Sequence, residues 1–481
     1  MNKSKSILNN MIWRFAERSG AQGVQFIVSI VLARLLSPSD YGIVGLTVVF
    51  IAISTVFIDS GFGQALVQKR EVDNIDFSSV FFLNISISIL LYLILFFISP
   101  LIADFYKEPI LSPVLRILSL TLIIGAVNSV QYAYVQKAMQ FKRYFFSTII
   151  GTIVSAAAGI TLAYYYKFGV WALVTQQLSA QTVSMIVLWF TLKWRPSIKI
   201  SISKLKGMFS FGWKLLCSSL LSEVYNNIYP LVIGRFYSTQ DIGFYNRGSQ
   251  FPHTIISNIN NSISSVIFPH MSEYQLDKVM LKDITRRTIT TSTFIIFPLM
   301  AGLAVVAKPL VNVLLTEKWL PCVPFLQLSC VMYALWPIHT TNLQVINAVG
   351  RSDIYLKLEI IKKALGVISL IITVPMGIMP MMVGSCIVSI PSALINAYPN
   401  KNLLNYGYLE QIRDLLPIMF TTSIMSLIVL SIQLFNFSNW LTLIIQVIIG
   451  VTVYFMLSKI LKLEGYLYVL QVIKSIKEQR A

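Results

Sequence analysis

The chain has 481 residues, of which 56% are hydrophobic and 12% are charged. Soluble domains carry about 25% charged residues, so this composition excludes an ordinary soluble protein and predicts an integral membrane protein. The formal net charge is +18. The basic residues lie mainly in short segments between apolar stretches, where they favour membrane orientation and contact with anionic membrane lipids, and we predict no nucleic-acid partner.

Fourteen stretches of the chain are apolar enough to form transmembrane helices, each of which needs about 20 residues. The predicted spans are 10–34, 42–66, 78–103, 113–136, 144–165, 170–192, 209–234, 242–269, 287–307, 322–348, 355–376, 379–398, 414–435 and 439–461. Arg14, Glu17 and Arg18 interrupt the first apolar stretch, so we expect it to be retained as a helix and not cleaved as a signal peptide. The predicted fold class is all-α integral membrane, with about 14 transmembrane helices.

The positions of lysine and arginine predict the orientation. With a cytoplasmic N-terminus, 25 of the 38 basic residues fall on the cytoplasmic side, 7 on the outer side and 6 within spans. Cytoplasmic loops of membrane proteins carry such an excess of lysine and arginine. We therefore expect both termini in the cytoplasm.

An internal repeat divides the spans. Residues 33–43 (ARLLSPSDYGI) resemble residues 234–244 (GRFYSTQDIGF) at an offset of 201, which pairs Arg34 with Arg235, Ser37 with Ser238, Asp40 with Asp241, and Gly42 with Gly243. An offset of six spans preserves orientation, which predicts two parallel six-helix bundles around a central cavity plus two C-terminal helices. The expected domains are 1–200, 201–400 and 401–481.

Several predicted spans carry ionisable or amide side chains, which are costly in lipid and usually face a cavity or a partner. In the first span, one helical face carries Arg14, Arg18, Gln22, Gln25 and Ser29. The other candidate substrate-binding residues lie in the seventh, eighth and eleventh spans, and they are Lys214, Asn226, Arg247, Asn258, Lys362 and Lys363. Cations outnumber anions in this set, which favours an anionic substrate such as a phosphate-bearing lipid or an acidic sugar.

These residues also have structural interpretations. Arg14, Arg18 and Lys214 lie near helix ends and can instead extend to the head groups. Arg247 pairs with Asp40, Asp241 or Glu223, or contacts substrate. Lys362 and Lys363 are adjacent, so at most one of them faces the cavity. Three acidic residues are candidates for ion coupling or charge pairing, namely Glu17, Asp59 and Glu223.

Catalytic and metal-binding patterns are missing from the sequence. The four cysteines and three histidines show no metal-ligand spacing, and no phosphate-binding loop or long outer loop with paired carboxylates occurs. We predict no catalytic residue, no metal and no cofactor. The sequence therefore favours a transporter over an enzyme.

Four segments resemble bacterial Wzx-type polysaccharide flippases of the lipopolysaccharide/colanic-acid exporter kind, within the multidrug/oligosaccharidyl-lipid/polysaccharide exporter superfamily. The segments are WRFAERSGAQGVQFIVSIVLARLLSPSDYGIVGL at the start, DSGFGQALVQK, residues 235–245, and INAVGRSDIYLK at 346–357. The resemblance implies translocation of undecaprenyl-pyrophosphate-linked oligosaccharides across the bacterial inner membrane, by alternating access. It implies that Arg14, Arg18 and Lys214 handle the pyrophosphate or acidic sugars, and that residues 414–461 form a groove for the lipid tail.

Partners and alternative functions follow from the same resemblance. A polysaccharide polymerase and chain-length machinery are expected partners beside the lipid-linked substrate and membrane lipids. A multidrug or ion antiporter of the same superfamily is one alternative, although the surplus of bases argues against it. A membrane-embedded enzyme of glycan assembly and a non-transporting scaffold are the others.

Overall fold

The structure is a computed structural model that describes residues 20–59, 66, 72–201, 213 and 216–478. Regular structure in this part of the chain is helical, without strands. The chain divides into two compact units, Met1–Gly243 and Phe244–Ala481. The three domains expected from the repeat stay a prediction.

The first unit contains a succession of helices joined by short connections. These are α1 (Gly20–Leu35), α2 (Pro38–Asp59), α3 (Asn74–Tyr106), α4 (Leu111–Leu118), α5 (Leu120–Lys137), α6 (Phe141–Tyr164), α7 (Val170–Thr191), α8 (216–226) and α9 (Ile228–Phe236). Helix α10 (Thr239–Glu273) begins in this unit and continues into the second.

The second unit is also helical, with three short 3₁₀ turns at Glu317–Cys322, Val374–Met376 and Ile432–Phe435. Its α-helices are α11 (Lys278–Val305), α12 (Ala307–Leu315), α13 (Val323–Ala334), α14 (Trp336–Ala348), α15 (Ser352–Thr373), α16 (Ile378–Leu404), α17 (Tyr408–Ser431), α18 (Asn439–Ile460) and α19 (Glu464–Glu478).

Every one of the fourteen predicted spans overlaps at least one of these helices. Nine helical segments among the described residues are long and apolar enough to cross a membrane. Helices α12 and α19 are additions that the sequence did not predict as spans, since the first is short and the second is amphipathic. The all-α membrane fold predicted from composition and hydropathy is confirmed.

The repeated Ser-x-x-Asp sequence forms the same capping structure twice. The Asp40 carboxylate accepts hydrogen bonds from the backbone N–H and the hydroxyl of Ser37, at 2.9 and 2.7 Å. The Asp241 carboxylate accepts the equivalent bonds from Ser238, at 3.2 and 2.7 Å. In return, the backbone N–H groups of Asp40 and Asp241 donate to the Ser37 and Ser238 hydroxyls, at 3.2 and 3.1 Å. These reciprocal bonds satisfy amide donors that a helix N-terminus leaves without partners, and so they begin α2 and α10 at matching positions.

Small side chains allow α6 and α7 to pack closely. Five buried positions on α6 recur every four residues and carry small side chains, and they are Ser147, Gly151, Ser155, Gly159 and Ala163. A Cβ at Gly151 would lie 2.7 Å from the Ala180 carbonyl oxygen on α7. Small residues at this spacing let membrane helices approach at the backbone, where dispersion contacts are densest.

Buried hydrogen bonds connect helices of the second unit. Asn342 on α14 exchanges side-chain hydrogen bonds with Gln411 on α17, at 2.9 and 3.0 Å, and accepts one from Asn400 on α16, at 2.6 Å. On α18, the hydroxyl of Tyr454 donates to the Phe294 carbonyl oxygen of α11 at 2.7 Å. These bonds attach the two helices beyond the predicted repeat, α17 and α18, to the helices before them.

Candidate functional site: a polar cavity in the first unit

A cavity of about 470 Å³ lies within the first unit. Residues from helices α1, α2, α5, α6 and α7 line it. Its walls are formed by Gln25, Ile51, Thr55, Ile58, Thr121, Leu122, Gly125, Asn128, Ser129, Tyr132, Tyr144, Thr148, Thr152, Ala180, Gln181 and Ser184. Most of these side chains are hydroxyls or amides, and none of the described lining residues is charged. Membrane helices expose such groups to an interior and not to lipid, because unpaired polar groups are costly in hydrocarbon.

The threonine hydroxyls of the wall donate to their own helices. Thr55 donates to the Ile51 carbonyl oxygen at 2.8 Å, and Thr152 donates to the Thr148 carbonyl oxygen at 2.8 Å. A hydroxyl has one donor and two acceptor lone pairs, so these hydroxyls retain acceptor capacity. The threonine part of the wall is therefore suited to ligands that donate hydrogen bonds.

Asn128 is the amide that connects α5 to α7. Its side-chain nitrogen donates to the Gln181 carbonyl oxygen at 3.3 Å. Its side-chain oxygen is buried and has no hydrogen-bond partner among the described residues. An acceptor left in this state costs about 1–3 kcal/mol, and a ligand hydroxyl would satisfy it.

Two tyrosines add an aromatic surface to the wall. The rings of Tyr132 on α5 and Tyr144 on α6 lie 4.7 Å apart between centroids, with their planes inclined at 41°. Aromatic rings offer an apolar face to a ligand, and the tyrosine hydroxyl adds a polar group at the ring edge. The cavity thus combines hydrogen-bonding groups with apolar aromatic area, as ligand sites of about 300–1,000 Å³ commonly do.

The structure describes the side chains of seven of the twelve site residues predicted from sequence, and one of these seven lines the cavity. Gln25 on α1 forms part of the wall. Arg14, Glu17, Arg18 and Lys214 lie outside the described residues, as does the side chain of Asp59, although its backbone ends α2. The roles assigned to these residues stay predictions.

Three predicted residues lie on α8 and α10. Asn226 is exposed. Glu223 accepts a hydrogen bond from the Asn227 side chain at 2.8 Å, a partner different from the basic residue expected for it. Asn258 donates to the Thr254 carbonyl oxygen one turn earlier, at 2.9 Å. None of the three is among the residues that line the cavity of the first unit.

The predicted cations of the second unit have protein partners. Arg247 is 4% exposed, donates to Gln250 at 2.8 Å, and lies over the Trp319 ring at 5.7 Å. The ammonium group of Lys362 forms an ion pair with Glu359 one turn earlier. Lys363 follows on a different side of the same helix and is half-buried.

Most residues of the cavity wall were not among the predicted site residues, which are mainly charged. On α5, the lining residues Gly125, Asn128, Ser129 and Tyr132 recur with the spacing i, i+3, i+4 and i+7 of one helical face. That periodic polar face in the fourth predicted span was the available signal. Within the described part of the chain, no group of three or more potential metal ligands occurs.

Apolar spanning helices around a cavity with hydroxyl and amide side chains in its described wall define a polytopic membrane protein with the architecture of a transporter. Residues 31–324, more than half of the chain, match the family described as "Polysaccharide biosynthesis protein". The chain belongs to this family, which confirms the resemblance recognised in the sequence.

Two relatives and one solved structure illustrate the relationship. The chain is 26% identical over 354 residues to the teichuronic acid biosynthesis protein TuaB of Bacillus subtilis (strain 168), with 73% of each chain covered. It is 25% identical over 402 residues to the lipopolysaccharide biosynthesis protein WzxC of Escherichia coli (strain K12), covering 82% of this chain and 80% of the relative. The lipid II flippase MurJ in an inward closed conformation has a similar fold, with a TM-score of 0.73, 17% identity, and 94% and 98% of the two chains covered.

Proposed function

We propose that this protein is a flippase that moves undecaprenyl-pyrophosphate-linked oligosaccharide units from the cytoplasmic to the outer leaflet of the bacterial inner membrane, by alternating access. The observation that carries the proposal is the cavity between membrane-spanning helices, whose described wall carries mostly hydroxyl and amide side chains. Membership in the polysaccharide biosynthesis family and similarity to TuaB and WzxC support the choice of a glycan as the transported group.

The hydrocarbon core of the bilayer makes the passage of an oligosaccharide energetically costly. Moving one hydroxyl or amide from water into hydrocarbon without a partner costs about 4–8 kcal/mol. An oligosaccharide carries many hydroxyls, so crossing the bilayer core requires replacement hydrogen bonds along its path. Threonine, serine, asparagine and glutamine side chains inside the helical bundle supply such partners.

The pyrophosphate needs a separate set of groups. We assign it to Arg14, Arg18 and Lys214, which the sequence places in the first and seventh spans. Arg247 and Lys362 are weaker candidates, because Arg247 is buried against Trp319 and Lys362 is paired with Glu359. Binding of the anionic group neutralises the cations, and this neutralisation is the proposed trigger for the change of access.

The proposed flippase has a defined orientation in the inner membrane. The excess of lysine and arginine supports a multi-pass protein with both termini in the cytoplasm. The protein acts as a transporter without catalysing a covalent step, and the glycan polymerase and chain-length machinery act on what it delivers.

Deletion of the gene, followed by extraction of lipid-linked sugars, tests the function. We expect lipid-linked oligosaccharide to accumulate and surface polysaccharide to disappear, with both restored by the wild-type gene. A double variant, Arg14→Ala with Arg18→Ala, should reach the membrane at wild-type abundance and fail to restore export. Unchanged lipid-linked sugars in the deletion strain would contradict the flippase, whereas normal export by the double variant would contradict only the assignment of the cations.

A further inference from the structure

We infer that the helix pair α6–α7 carries a binding site for an anionic phospholipid, at the end where α6 begins and α7 ends. The site consists of Arg143, in the first turn of α6, and of Lys193 and Arg195, which follow the end of α7. The predicted topology places these three residues on the cytoplasmic side of the membrane. The lipid is a resident neighbour of the protein, distinct from the transported substrate, and its binding does not depend on the proposed function.

The sequence around this site contains cations without acidic neighbours. Between Glu108 and Glu223 the chain has eleven lysines and arginines and no aspartate or glutamate. Arg143, Lys193 and Arg195 belong to this stretch, and none of the three forms an ion pair within the described part of the chain. Clustered cations without acidic partners create a positive potential that attracts anions. At the edge of a bilayer, the available anion is the phosphate of a lipid head group.

Basic residues on the same predicted side of the second unit are paired instead. Arg287 forms an ion pair with Asp283, and Arg351 forms one with Asp353, each at 2.9 Å. Both arginines are exposed, so exposure alone does not separate them from the cations of the site. The acidic partner does, because a carboxylate neutralises the guanidinium group and occupies donors that a lipid phosphate would need. Arg287 and Arg351 are therefore matched controls.

The segment after α7 is extended and presents its cations on one face. Leu192 and Trp194 are buried, whereas Lys193 and Arg195 between and after them are exposed, which is the alternation of an extended chain. The guanidinium group of Arg195 donates to the Leu192 and Trp194 carbonyl oxygens, at 2.8 and 2.7 Å. It also lies over the Trp189 ring, 5.1 Å from the centroid. These contacts hold the charge in place at the protein surface.

Arg143 brings a second guanidinium group to the same helix end. It donates to the carbonyl oxygen of Thr191, the last residue of α7, which directly precedes the Leu192 that Arg195 contacts. A helix C-terminus carries a partial negative charge, which allows two cations to lie close together there. A guanidinium group has five N–H donors, and toward the described residues each of these two donates through one nitrogen only. The remaining donors are suited to paired hydrogen bonds with a phosphate.

An apolar surface continues from the cations along the helices. Arg143, Phe146, Ile150 and Ile153 recur on one face of α6, and the last three side chains are exposed. On α7, Phe190 is 79% exposed one residue before the helix ends. This face of α6 is turned away from the residues that line the cavity of the first unit. Cations at the head-group level above an exposed apolar face match a molecule with a phosphate and acyl chains, and not a soluble anion.

The binding test uses the full-length protein in detergent, with dioleoylphosphatidylglycerol as probe and bound lipid counted by native mass spectrometry. Arg143→Gln with Arg195→Gln should raise the dissociation constant of the tightest phosphatidylglycerol at least about tenfold, because two charged contacts to the phosphate are lost. Arg287→Gln with Arg351→Gln should leave it within about twofold of wild type, since those cations are already paired. Equal affinity of the two double variants would overturn the site.

Lys193→Gln separates lipid binding from folding. Lys193 is exposed and bonds to no described residue, so the variant should melt at the wild-type temperature and bind phosphatidylglycerol about fivefold more weakly. Replacing both arginines by lysine keeps the charges and should recover most of the affinity lost with glutamine. Wild-type affinity in Lys193→Gln, together with a lowered melting temperature of the Arg143→Gln, Arg195→Gln protein, would show a structural role only and overturn the site.

Competition distinguishes a phospholipid from other phosphates. Dioleoylphosphatidylcholine, whose head group has no net charge, should bind at least about tenfold more weakly than phosphatidylglycerol. Glycerol 3-phosphate lacks acyl chains and should not displace the lipid, whereas Phe146→Ala with Phe190→Ala should weaken lipid binding about fivefold. Displacement by glycerol 3-phosphate would indicate a soluble ligand, and displacement by equimolar undecaprenyl pyrophosphate would indicate a substrate site. Either result would overturn the phospholipid site while leaving the proposed flippase intact.

Discussion

A Cβ atom on Gly42 would lie 1.7 Å from the carbonyl oxygen of Thr239, so these two residues approach each other at the backbone. The repeat-related contact is equally close, since a Cβ on Gly243 would lie 2.0 Å from the Pro38 carbonyl oxygen. Gly42 and Gly243 are partners in the repeat, as are Pro38 and Thr239. The contact is therefore reciprocal, and the Ser39 and Thr239 hydroxyls lie 3.1 Å apart beside it.

Replacing Gly42 by alanine should destabilise the protein, because the added methyl group meets backbone atoms and not a flexible side chain. Overpacking of this kind costs about 1–3 kcal/mol, and more where the backbone has to move. Thermal unfolding of the purified protein in detergent measures the loss. Gly23→Ala is the matched control, since a Cβ at that helical glycine meets no atom within 4 Å. Equal melting temperatures for the two variants would contradict the close contact.

Asn342→Ala should be among the most destabilising single changes in the second unit. Asn342, Asn400 and Gln411 are at most 1% exposed, and the first of them bonds to the other two. Removing its side chain leaves the Gln411 side-chain oxygen without its donor, while the Asn400 and Gln411 amide nitrogens keep only their bonds to backbone carbonyl oxygens. A buried acceptor left without a partner costs about 1–3 kcal/mol. The melting temperature checks this, with the exposed Asn402→Ala as control. A loss no greater than that of the control would show that the network does not hold the helices together.

Tyr406→Phe should lower stability in a pH-dependent manner. Tyr406 is fully buried between α16 and α17, and its hydroxyl donates to the Asp414 carboxylate at 2.8 Å. Burial, followed by this hydrogen bond, raises the pKa of the Tyr406 phenol above its ordinary value of 10.0. A hydrogen bond to a charged group contributes about 1.5–3 kcal/mol, which is the expected loss at neutral pH.

The sign of the pH dependence follows from the raised pKa. The neutral phenol is favoured in the folded state, so its contribution is complete below about pH 10 and decreases as the pH rises further. The difference in melting temperature between wild type and Tyr406→Phe should be constant near neutrality and become smaller in alkaline buffer. Tyr398→Phe, at a side chain 72% exposed, is the control. A difference that widens in alkali would contradict the assigned role.

Cysteine labelling should report the predicted orientation. In a background without the four native cysteines, Lys199→Cys should react with a membrane-impermeant maleimide only after the cells are opened. Tyr166→Cys should react in spheroplasts, because the same topology places it outside. Both native side chains are exposed, so access depends on the side of the membrane and not on burial. Labelling of residue 199 in intact spheroplasts would contradict the predicted topology and indicate the inverse one.

The repeat shows which contacts local sequence predicts and which it does not. Ser37 with Asp40, and Ser238 with Asp241, could be matched from the sequence, because a capping box depends on residues three positions apart. Their identical hydrogen bonds follow from that spacing. The backbone contact between Gly42 and Thr239 could not be predicted, since it joins residues about 200 positions apart.

The residues that line the cavity could not be predicted from local sequence. Arg247 and Lys362 were predicted from sequence as substrate-binding residues. In the structure, Arg247 contacts Gln250 and Trp319, and Lys362 pairs with Glu359. Asn128 lies on a periodic polar face of its span, but such a face does not by itself identify a ligand wall, because asparagine, glutamine and threonine also connect helices to one another. Only their convergence on one space distinguishes a ligand wall from helix packing.

The sequence by itself determined that this protein is an all-α membrane protein, where its apolar spans lie and which family it resembles, because hydrophobic length, loop charge and helix caps are local properties. The tertiary structure decided which polar side chains share a cavity, which cations already have partners, and where glycine is required by a neighbouring backbone. Those outcomes depend on distances between helices far apart in the chain, and close packing of side chains fixes those distances.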